Sequence, residues 1–273
     1  MNRRPACAKL NLALVVGART LPAGRHELTT VFQRIDLTDR ITVEPAATLS
    51  VHGFPADTLV ERALRLLARE AGVLPRFRAR IEKAIPVAAG LGGGSSDAAT
   101  ALRLANALLP SPLDPALIRR LATSIGADVP FFLEAGPQLG ERDGSTLSPV
   151  RLPQDYWVVL VLPAGAKKLS TAEVYAAYTR REGAVGYADR RQTLLEALTR
   201  VERAADLAAL PPNDLASSPL AGRLRQLGAF RADVSGAGPV VYGLFANHGA
   251  ARSAERALRA FGSTWLTVPA WYF

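Results

Sequence analysis

The most informative part of the sequence is a glycine-rich segment, residues 86–99, which reads Pro86-Val87-Ala88-Ala89-Gly90-Leu91-Gly92-Gly93-Gly94-Ser95-Ser96-Asp97-Ala98-Ala99. Because glycines lack a Cβ atom, several backbone N–H groups can converge there, and a following helix adds the positive end of its dipole. We expect the helix to begin at Ser95, with Ser95 and Ser96 as caps or phosphate ligands and Asp97 complementing the dipole. The segment therefore predicts a polyphosphate-binding loop.

Two common nucleotide-binding motifs do not fit this segment. The Walker pattern requires a lysine after its last glycine, where Ser95 stands, and the dinucleotide pattern GxGxxG requires a glycine three residues after Gly92, again where Ser95 stands. A flexible Gly-Ser linker is the alternative, but a linker is not expected between a strand and a strong helix.

The segments on either side of the loop alternate between strand and helix patterns. Period-two alternation predicts half-buried strands at 8–16, with Lys9 and Asn11 on one face, and at 26–36. We place a domain boundary near residues 149–155, which divides the chain into domains 1–152 and 153–273. The other elements that we expect are helices at 57–71, 115–126, 172–179, 190–205, 219–227 and 250–261, and strands at 76–82, 157–163, 231–234, 240–245 and the C-terminus.

Composition excludes several classes of protein. With 273 residues, 49% of them hydrophobic and 21% charged, the chain can bury a core and is not disordered. One cysteine and three scattered histidines form no metal-binding pattern, so we expect no metal site. The longest apolar runs are shorter than a membrane span, which predicts a soluble, cytoplasmic protein. The net charge of +9 favours anionic small molecules, and we expect no nucleic-acid partner because the arginines are spread out.

Four motifs, in order along the chain, resemble those of the GHMP kinases, the group that includes the galactose, homoserine, mevalonate and phosphomevalonate kinases. The resemblance implies an α+β fold with a ribosomal-S5-like N-terminal domain and a ferredoxin-like C-terminal domain. The matching motifs are the phosphate loop at 86–99, the N-terminal signature at 8–12, the substrate loop at 24–28 and the catalytic loop at 126–132.

The triple-glycine form of the loop is most similar to one branch of that family. This branch uses ATP to phosphorylate the 2-hydroxyl of 4-diphosphocytidyl-2-C-methyl-D-erythritol, in non-mevalonate isoprenoid biosynthesis. The resemblance implies that Mg²⁺ arrives with ATP and that the protein is a monomer or weak homodimer. It also implies Lys9 and Asp128 as catalytic residues, Pro86, Val87, Ala88, Ala89, Gly90, Leu91, Gly92, Gly93, Gly94, Ser95 and Ser96 as the ATP site, and Asn11, Arg25, His26, Phe32, Thr171 and Tyr175 as the substrate site.

In the implied chemistry, Asp128 accepts the hydroxyl proton, while Lys9 keeps Asp128 ionised and stabilises the developing alkoxide. We also expect neutral His26 to hydrogen-bond the edge of the cytosine. The sequence departs from the family at Arg25, where tyrosine is common, and in the loop 235–239, where Ala237 and Pro239 replace serines.

Other readings remain open from the residues alone. Without the resemblance, Asp128 reads as a turn residue, Lys9 as a solvated strand residue and Tyr175 as a core residue. Two alternative hypotheses are that the protein is a GHMP kinase for another alcohol, or that it is a non-catalytic nucleotide- or nucleic-acid-binding protein with the same fold.

Overall fold

The chain combines β-sheets with α-helices. A computed structural model describes residues 3–20, 22–54, 58–166 and 169–270. It contains two sheets, one with strand order β3-β4-β2-β5-β6, in which β1 also pairs with β2, and one with the order β10-β7-β9-β8. This confirms the predicted α+β class. No helix in the described ranges is long and apolar enough to cross a membrane, and the cytoplasmic location stays a prediction.

The bounds of the elements in the described ranges are as follows. The strands are β1 Arg3–Val16, β2 Leu28–Pro45, β3 Ser50–His52, β4 Phe77–Glu82, β5 Gln138–Arg142, β6 Thr146–Pro149, β7 Trp157–Pro163, β8 Arg231–Val234, β9 Val241–Phe245 and β10 Gly262–Thr267. The α-helices are α1 Leu59–Glu70, α2 Gly93–Asn106, α3 Pro115–Ile125, α4 Thr171–Arg180, α5 Tyr187–Thr199, α6 Pro219–Gln226 and α7 His248–Leu258.

Contacts divide the chain into two compact units, each formed from separate segments. The first unit comprises Met1–Ala8, Leu37–Val87 and Gly92–Ala135, and the second comprises Lys9–Asp36, Ala88–Leu91 and Gly136–Phe273. The chain therefore passes between the units within β1, within β2 and within the glycine-rich segment. The division into domains 1–152 and 153–273 stays a prediction.

The first unit packs three helices and a small sheet. Residues 40–45 of β2 pair antiparallel with β4, and β3 adds a parallel strand on the other edge of β4. Alternate residues of β4, namely Phe77, Ala79 and Ile81, are buried. Helix α1 contacts both α2 and α3, and the small side chains of α2 allow close packing because four of its buried residues are alanines.

The second unit contains the antiparallel sheet β10-β7-β9-β8 and helices α4 to α7. Strand β7 is buried because it lies between β10 and β9. Helix α7 contacts β7 and β10, and α6 contacts β8 and β9. These helices cover a core that includes Val159, Leu224 and Phe245.

Several predicted elements differ from the structure in their extent. Strand β1 begins at Arg3 rather than residue 8, and it is buried on both faces from Ala6 onward, so the half-buried reading is wrong. The reason is that the polar side chains of β1 find partners inside the protein. Strand β2 is longer than predicted. Helix α1 begins at Leu59, while Asp57, the expected start, lies outside the described residues.

The structure also contains elements that the pattern did not reveal. Residues 138–149 form the hairpin of β5 and β6, where no strand was predicted. The hairpin shows no alternation of hydrophobic and polar residues in the sequence. One of its inward-facing positions is Gly140, which packs against Phe32 and leaves no room for a side chain. Helix α5 ends at Thr199 rather than at 205, since the Asp206 carboxylate accepts the N–H groups of Glu202 and Arg203 and begins a new 3-10 turn.

We predict that Gly140→Ala lowers the free energy of unfolding by about 1–3 kcal/mol, the usual cost of overpacking. A Cβ atom there would lie 2.6 Å from Cε2 of Phe32 and 3.2 Å from the carbonyl oxygen of Gly144. Urea denaturation measures the effect.

Gly222→Ala is the matched control, because Gly222 lies inside α6 and a Cβ atom there meets nothing within 4 Å. This variant should gain up to about 1 kcal/mol, since alanine favours helix over glycine. Equal effects at the two positions would contradict the packing argument.

Candidate functional site

The glycine-rich segment forms a tight loop that leads directly into α2. Its backbone has positive φ at Ala88, Gly90 and Gly92, with values of 49°, 82° and 69°. Helix α2 begins at Gly93, two residues before the predicted start, and its N-cap Gly92 makes no side-chain cap bond. Ser95 and Ser96 therefore lie within the first turn and do not cap it. The first N–H groups of a helix lack intrahelical partners, so this N-terminus offers donors to an anion.

Residues 89–91 of this loop are held by the second unit. The backbone N–H of Lys9 donates to Leu91 O at 2.9 Å, and Val240 N–H donates to Ala89 O at 3.2 Å. The hydroxyl of Ser235 donates to Gly90 O at 3.0 Å. Three consecutive carbonyl groups of the loop, those of Ala89, Gly90 and Leu91, thus accept hydrogen bonds, which is not expected of a flexible linker.

Lys9 is a buried residue within the second unit, with only 3% of its surface exposed. Its Nζ donates to Asn11 Oδ1 at 2.6 Å and lies 5.6 Å from the centroid of the Phe32 ring. Asn11 in turn donates through Nδ2 to Thr30 Oγ1 at 2.7 Å. The solvated-strand reading of Lys9 is therefore wrong, and the structure brings the predicted residues Lys9, Asn11 and Phe32 together.

The loop 235–239 lies against these residues. A Cβ atom on Gly236 would be 3.3 Å from Asn11 Oδ1 and 3.4 Å from Lys9 Nζ. The side chain of Asn213 holds this loop, because its Nδ2 donates to Val234 O at 2.9 Å and to Gly236 O at 2.7 Å. Asn213 was not predicted as a site residue, because nothing in the sequence of its loop indicates that its side chain bonds to residues 234–236.

His26 lies in a cluster of aromatic rings. Its ring centroid is 5.0 Å from that of Tyr175 and 5.9 Å from that of Tyr178. Nδ1 lies 2.8 Å from Gly17 O, so it carries the proton, and Nε2 lies 3.1 Å from Thr179 Oγ1. Both nitrogens already contact protein atoms, so a cytosine could donate a hydrogen bond to Nε2 only if Thr179 moved.

The start of α4 places two of the predicted substrate residues. Ser170 caps α4 in a capping box with Glu173, which defines where the helix begins. Thr171 is the first residue of α4, and Tyr175 follows one turn later on the same face. Tyr175 is half-buried and pairs with His26, so it is not a pure core residue.

Arg25 forms an ion pair with Asp143 in the turn between β5 and β6. Burial raises the pKa of Asp143, but its hydrogen bonds from Ser145 and the charge of Arg25 outweigh burial and hold that pKa below its usual range. The guanidinium is about half exposed, with 52% of the side chain accessible. Arg25 is thus directed toward the hairpin that the sequence analysis missed.

Asp128 lies in the first unit, in the turn that follows α3, whereas Lys9 belongs to the second unit. The turn is closed by a hydrogen bond of 3.1 Å from Val129 N–H to Gly126 O, and a 3-10 helix follows at Pro130–Leu133. Asp114 caps α3, since its side chain accepts the N–H of Ala116 at 2.7 Å. Asp128 itself is half-buried.

Sequence analysis also missed a buried ion cluster in the first unit, in which Lys83 contacts two carboxylates. Its Nζ lies 2.5 Å from Asp39 Oδ2 and 2.8 Å from Asp97 Oδ2. Asp97 is fully buried and is the fifth residue of α2, so it lies just beyond the first turn in which it was expected, and its contact with Lys83 was not predicted. The sequence offered one signal for this cluster, namely that Lys83 stands at the end of a strand just before a glycine-rich loop.

We predict that Gly90→Ala destabilises the protein more than the same change at Gly72. A Cβ atom on Gly90 would overlap the carbonyl oxygen of Ser235, whereas one on Gly72 meets nothing within 4 Å. Both residues have positive φ, 82° and 66°, so both variants carry the left-handed penalty of about 1–2 kcal/mol. Chemical denaturation measures the free energy of unfolding of both variants. The larger decrease expected for Gly90→Ala reflects the steric overlap with Ser235, and equal decreases would contradict this explanation.

The comparisons with known proteins agree on one family. The model described as "GHMP kinases N terminal domain" matches residues 58–136, and "GHMP kinases C terminal" matches residues 195–264. A protein of Pelotomaculum thermopropionicum named 4-diphosphocytidyl-2-C-methyl-D-erythritol kinase is 38% identical over 265 residues, which cover 90% of each chain. A protein of the same name from Thermus thermophilus is 37% identical and covers 96% of this chain and 94% of that one.

Solved structures show the same relationship. The crystal structure of a 4-(cytidine 5'-diphospho)-2C-methyl-D-erythritol kinase aligns with a TM-score of 0.79 and 35% identity, covering 98% of this chain and 99% of that one. The mevalonate kinase of Methanococcus jannaschii aligns with a TM-score of 0.76 at 14% identity, which shows a shared fold. With relatives of 37–38% identity over about 90% of its length, the chain belongs to the GHMP kinase family.

Proposed function

We propose that this protein transfers the γ-phosphoryl group of ATP to the 2-hydroxyl of 4-diphosphocytidyl-2-C-methyl-D-erythritol, a step in the non-mevalonate route to isopentenyl diphosphate. The observation that carries the proposal is the glycine-rich loop that ends in the N-terminus of α2, which has no side-chain cap. The printed names of its full-length relatives support this particular alcohol as the acceptor.

The loop residues Pro86 to Ser96 bind the phosphates of ATP in this proposal. The positive φ of Gly90 and Gly92 turns the backbone so that N–H groups and the helix N-terminus serve as donors. The Mg²⁺ that accompanies ATP neutralises charge on the phosphates. We do not expect Asp97 to coordinate this Mg²⁺, because its carboxylate is buried against Lys83.

Asp128 and Lys9 perform the chemistry. The substrate hydroxyl oxygen forms a bond to the γ-phosphorus, the bond between that phosphorus and the bridging oxygen of ADP breaks, and the hydroxyl proton goes to the carboxylate of Asp128. The buried ammonium of Lys9 stabilises negative charge, and burial strengthens its effect because little water screens it. The bond from Lys9 to Asn11 fixes the ammonium before substrate arrives.

The second unit supplies the groups that recognise the substrate. Tyr175 and His26 offer aromatic surfaces for a cytosine ring, and Phe32 and Asn11 lie beside Lys9. Arg25, another substrate residue of the proposal, pairs with Asp143 and is about half exposed. Thr171 adds a hydroxyl at the start of α4.

We predict that MgATP is converted to ADP only when the cytidyl diphosphate alcohol is present, because the aromatic cluster around His26 suits a base that simpler alcohols lack. A coupled ADP-release assay compares this substrate with mevalonate, homoserine and galactose at equal concentration. Release with another alcohol would move the function to a different kinase of the family. Release with none of them, despite ATP binding, would support a non-catalytic binding protein.

We predict that Asp128→Asn lowers kcat about 10²–10⁴-fold, the usual contribution of a general base, while calorimetry shows ATP affinity unchanged. Asp114→Asn is the matched control in the same unit, since asparagine caps a helix as well as aspartate does. Unchanged turnover in Asp128→Asn would remove this residue from the mechanism.

A further inference from the structure

A buried cluster of one lysine and two aspartates joins three elements of the first unit. Asp39 belongs to β2, Lys83 follows directly after β4, and Asp97 lies in the first turns of α2. Both carboxylates are fully buried, and the Lys83 side chain is 16% exposed. None of the three belongs to the catalytic or substrate residues named above.

Lys83 is favoured in its charged form although much of it is buried. Burial lowers the pKa of Lys83, but the charges and hydrogen bonds of Asp97 and Asp39 outweigh it, and the pKa is raised. Two buried carboxylates are costly without a cation beside them, and the ammonium of Lys83 is the cation that contacts both.

Members of the cluster precede and follow the glycine-rich loop in the sequence. The second oxygen of Asp39 accepts the N–H groups of Ala84 at 2.6 Å and Ile85 at 2.9 Å, just before the loop begins. The ammonium of Lys83 then reaches Asp97, just after the loop ends. Asp39 and Lys83 therefore determine how far apart the two ends of the loop lie.

Gly93 shows how closely the ammonium approaches the helix N-terminus. A Cβ atom on Gly93 would lie 3.3 Å from Lys83 Nζ and 3.1 Å from Ile85 Cγ2. The first residue of α2 thus packs closely against Lys83 and Ile85, and the N–H of Ile85 donates to Asp39. Movement of Lys83 would shift the N–H groups of the first turn.

We propose that Asp39, Lys83 and Asp97 are positioning residues for the nucleotide phosphates. They hold the N-terminus of α2 and the entry to the glycine-rich loop in one geometry, so that the anion-binding N–H groups are in place before ATP arrives. This inference rests on the proposed function, because it requires the loop to bind ATP. Small displacements of such groups are expensive, since about 1 Å of misplacement can cost about 10²-fold in rate.

The experiment compares the full chain with Lys83→Met, Lys83→Arg and Asp97→Asn. Isothermal titration measures the Kd for MgATP without any alcohol, and steady-state assays give the KM for each substrate. We expect Lys83→Met to raise the Kd and KM for MgATP at least about tenfold, with the KM for the alcohol changed less than twofold. Lys83→Arg should recover most of the affinity, because arginine keeps the charge between the carboxylates.

Glu255→Gln is the control for a purely structural loss. Glu255 is a buried carboxylate of the second unit that pairs with Arg259 at 2.9 Å and accepts from Thr264 at 2.6 Å. We expect this variant to lower Tm and to leave the Kd for MgATP unchanged. If the Kd for MgATP rises in proportion to the loss of Tm in every variant, including Glu255→Gln, the cluster has only a structural role and the proposal is overturned.

The outcomes separate the two proposals. If the wild-type chain does not bind MgATP, the proposed function fails and the positioning role falls with it. If the wild type binds MgATP and folded Lys83→Met binds it equally well, the positioning role alone is overturned. Should Lys83→Met fail to fold, Asp97→Asn decides in its place: an increase in Kd beyond that of Glu255→Gln supports the role, and an unchanged Kd overturns it.

Discussion

The backbone of Gly90 approaches the backbone of Ser235 closely, and the arrangement of the residues around Lys9 in the second unit depends on this approach. A Cβ atom on Gly90 would overlap the Ser235 carbonyl, so only glycine permits the approach. The Ser235 hydroxyl then donates to Gly90 O and accepts from Asn11 N–H. One serine thereby links the glycine-rich loop to the strand that carries Lys9.

Among the residues that the structure describes, Lys9 is buried and Lys83 is partly buried, and each is stabilised differently. Lys9 donates to a neutral amide and lies over an aromatic ring. Lys83 lies between the carboxylates of Asp39 and Asp97. The first arrangement suits the stabilisation of an anion, and the second suits a rigid support.

Local patterns predicted much of the fold from individual residues. Asp114 followed by Pro115 indicated the start of α3, and the buried run of β7 was found at its observed bounds. The hairpin of β5 and β6 was missed because its inward positions include Gly140, whose lack of a side chain hides the alternation. The burial of Lys9 was missed since a polar residue reads as solvated until its partners are known.

The order of the motifs along the chain was sufficient to establish the family and the glycine-rich loop, because glycine spacing and helix starts are local properties of the backbone. Which charges are buried, and against what, was decided by the tertiary structure. Asp39 and Asp97 meet at Lys83 although 58 residues separate them in sequence, and Arg25 pairs with Asp143 across the hairpin. Such contacts join distant segments, and their energies depend on burial that no local pattern encodes.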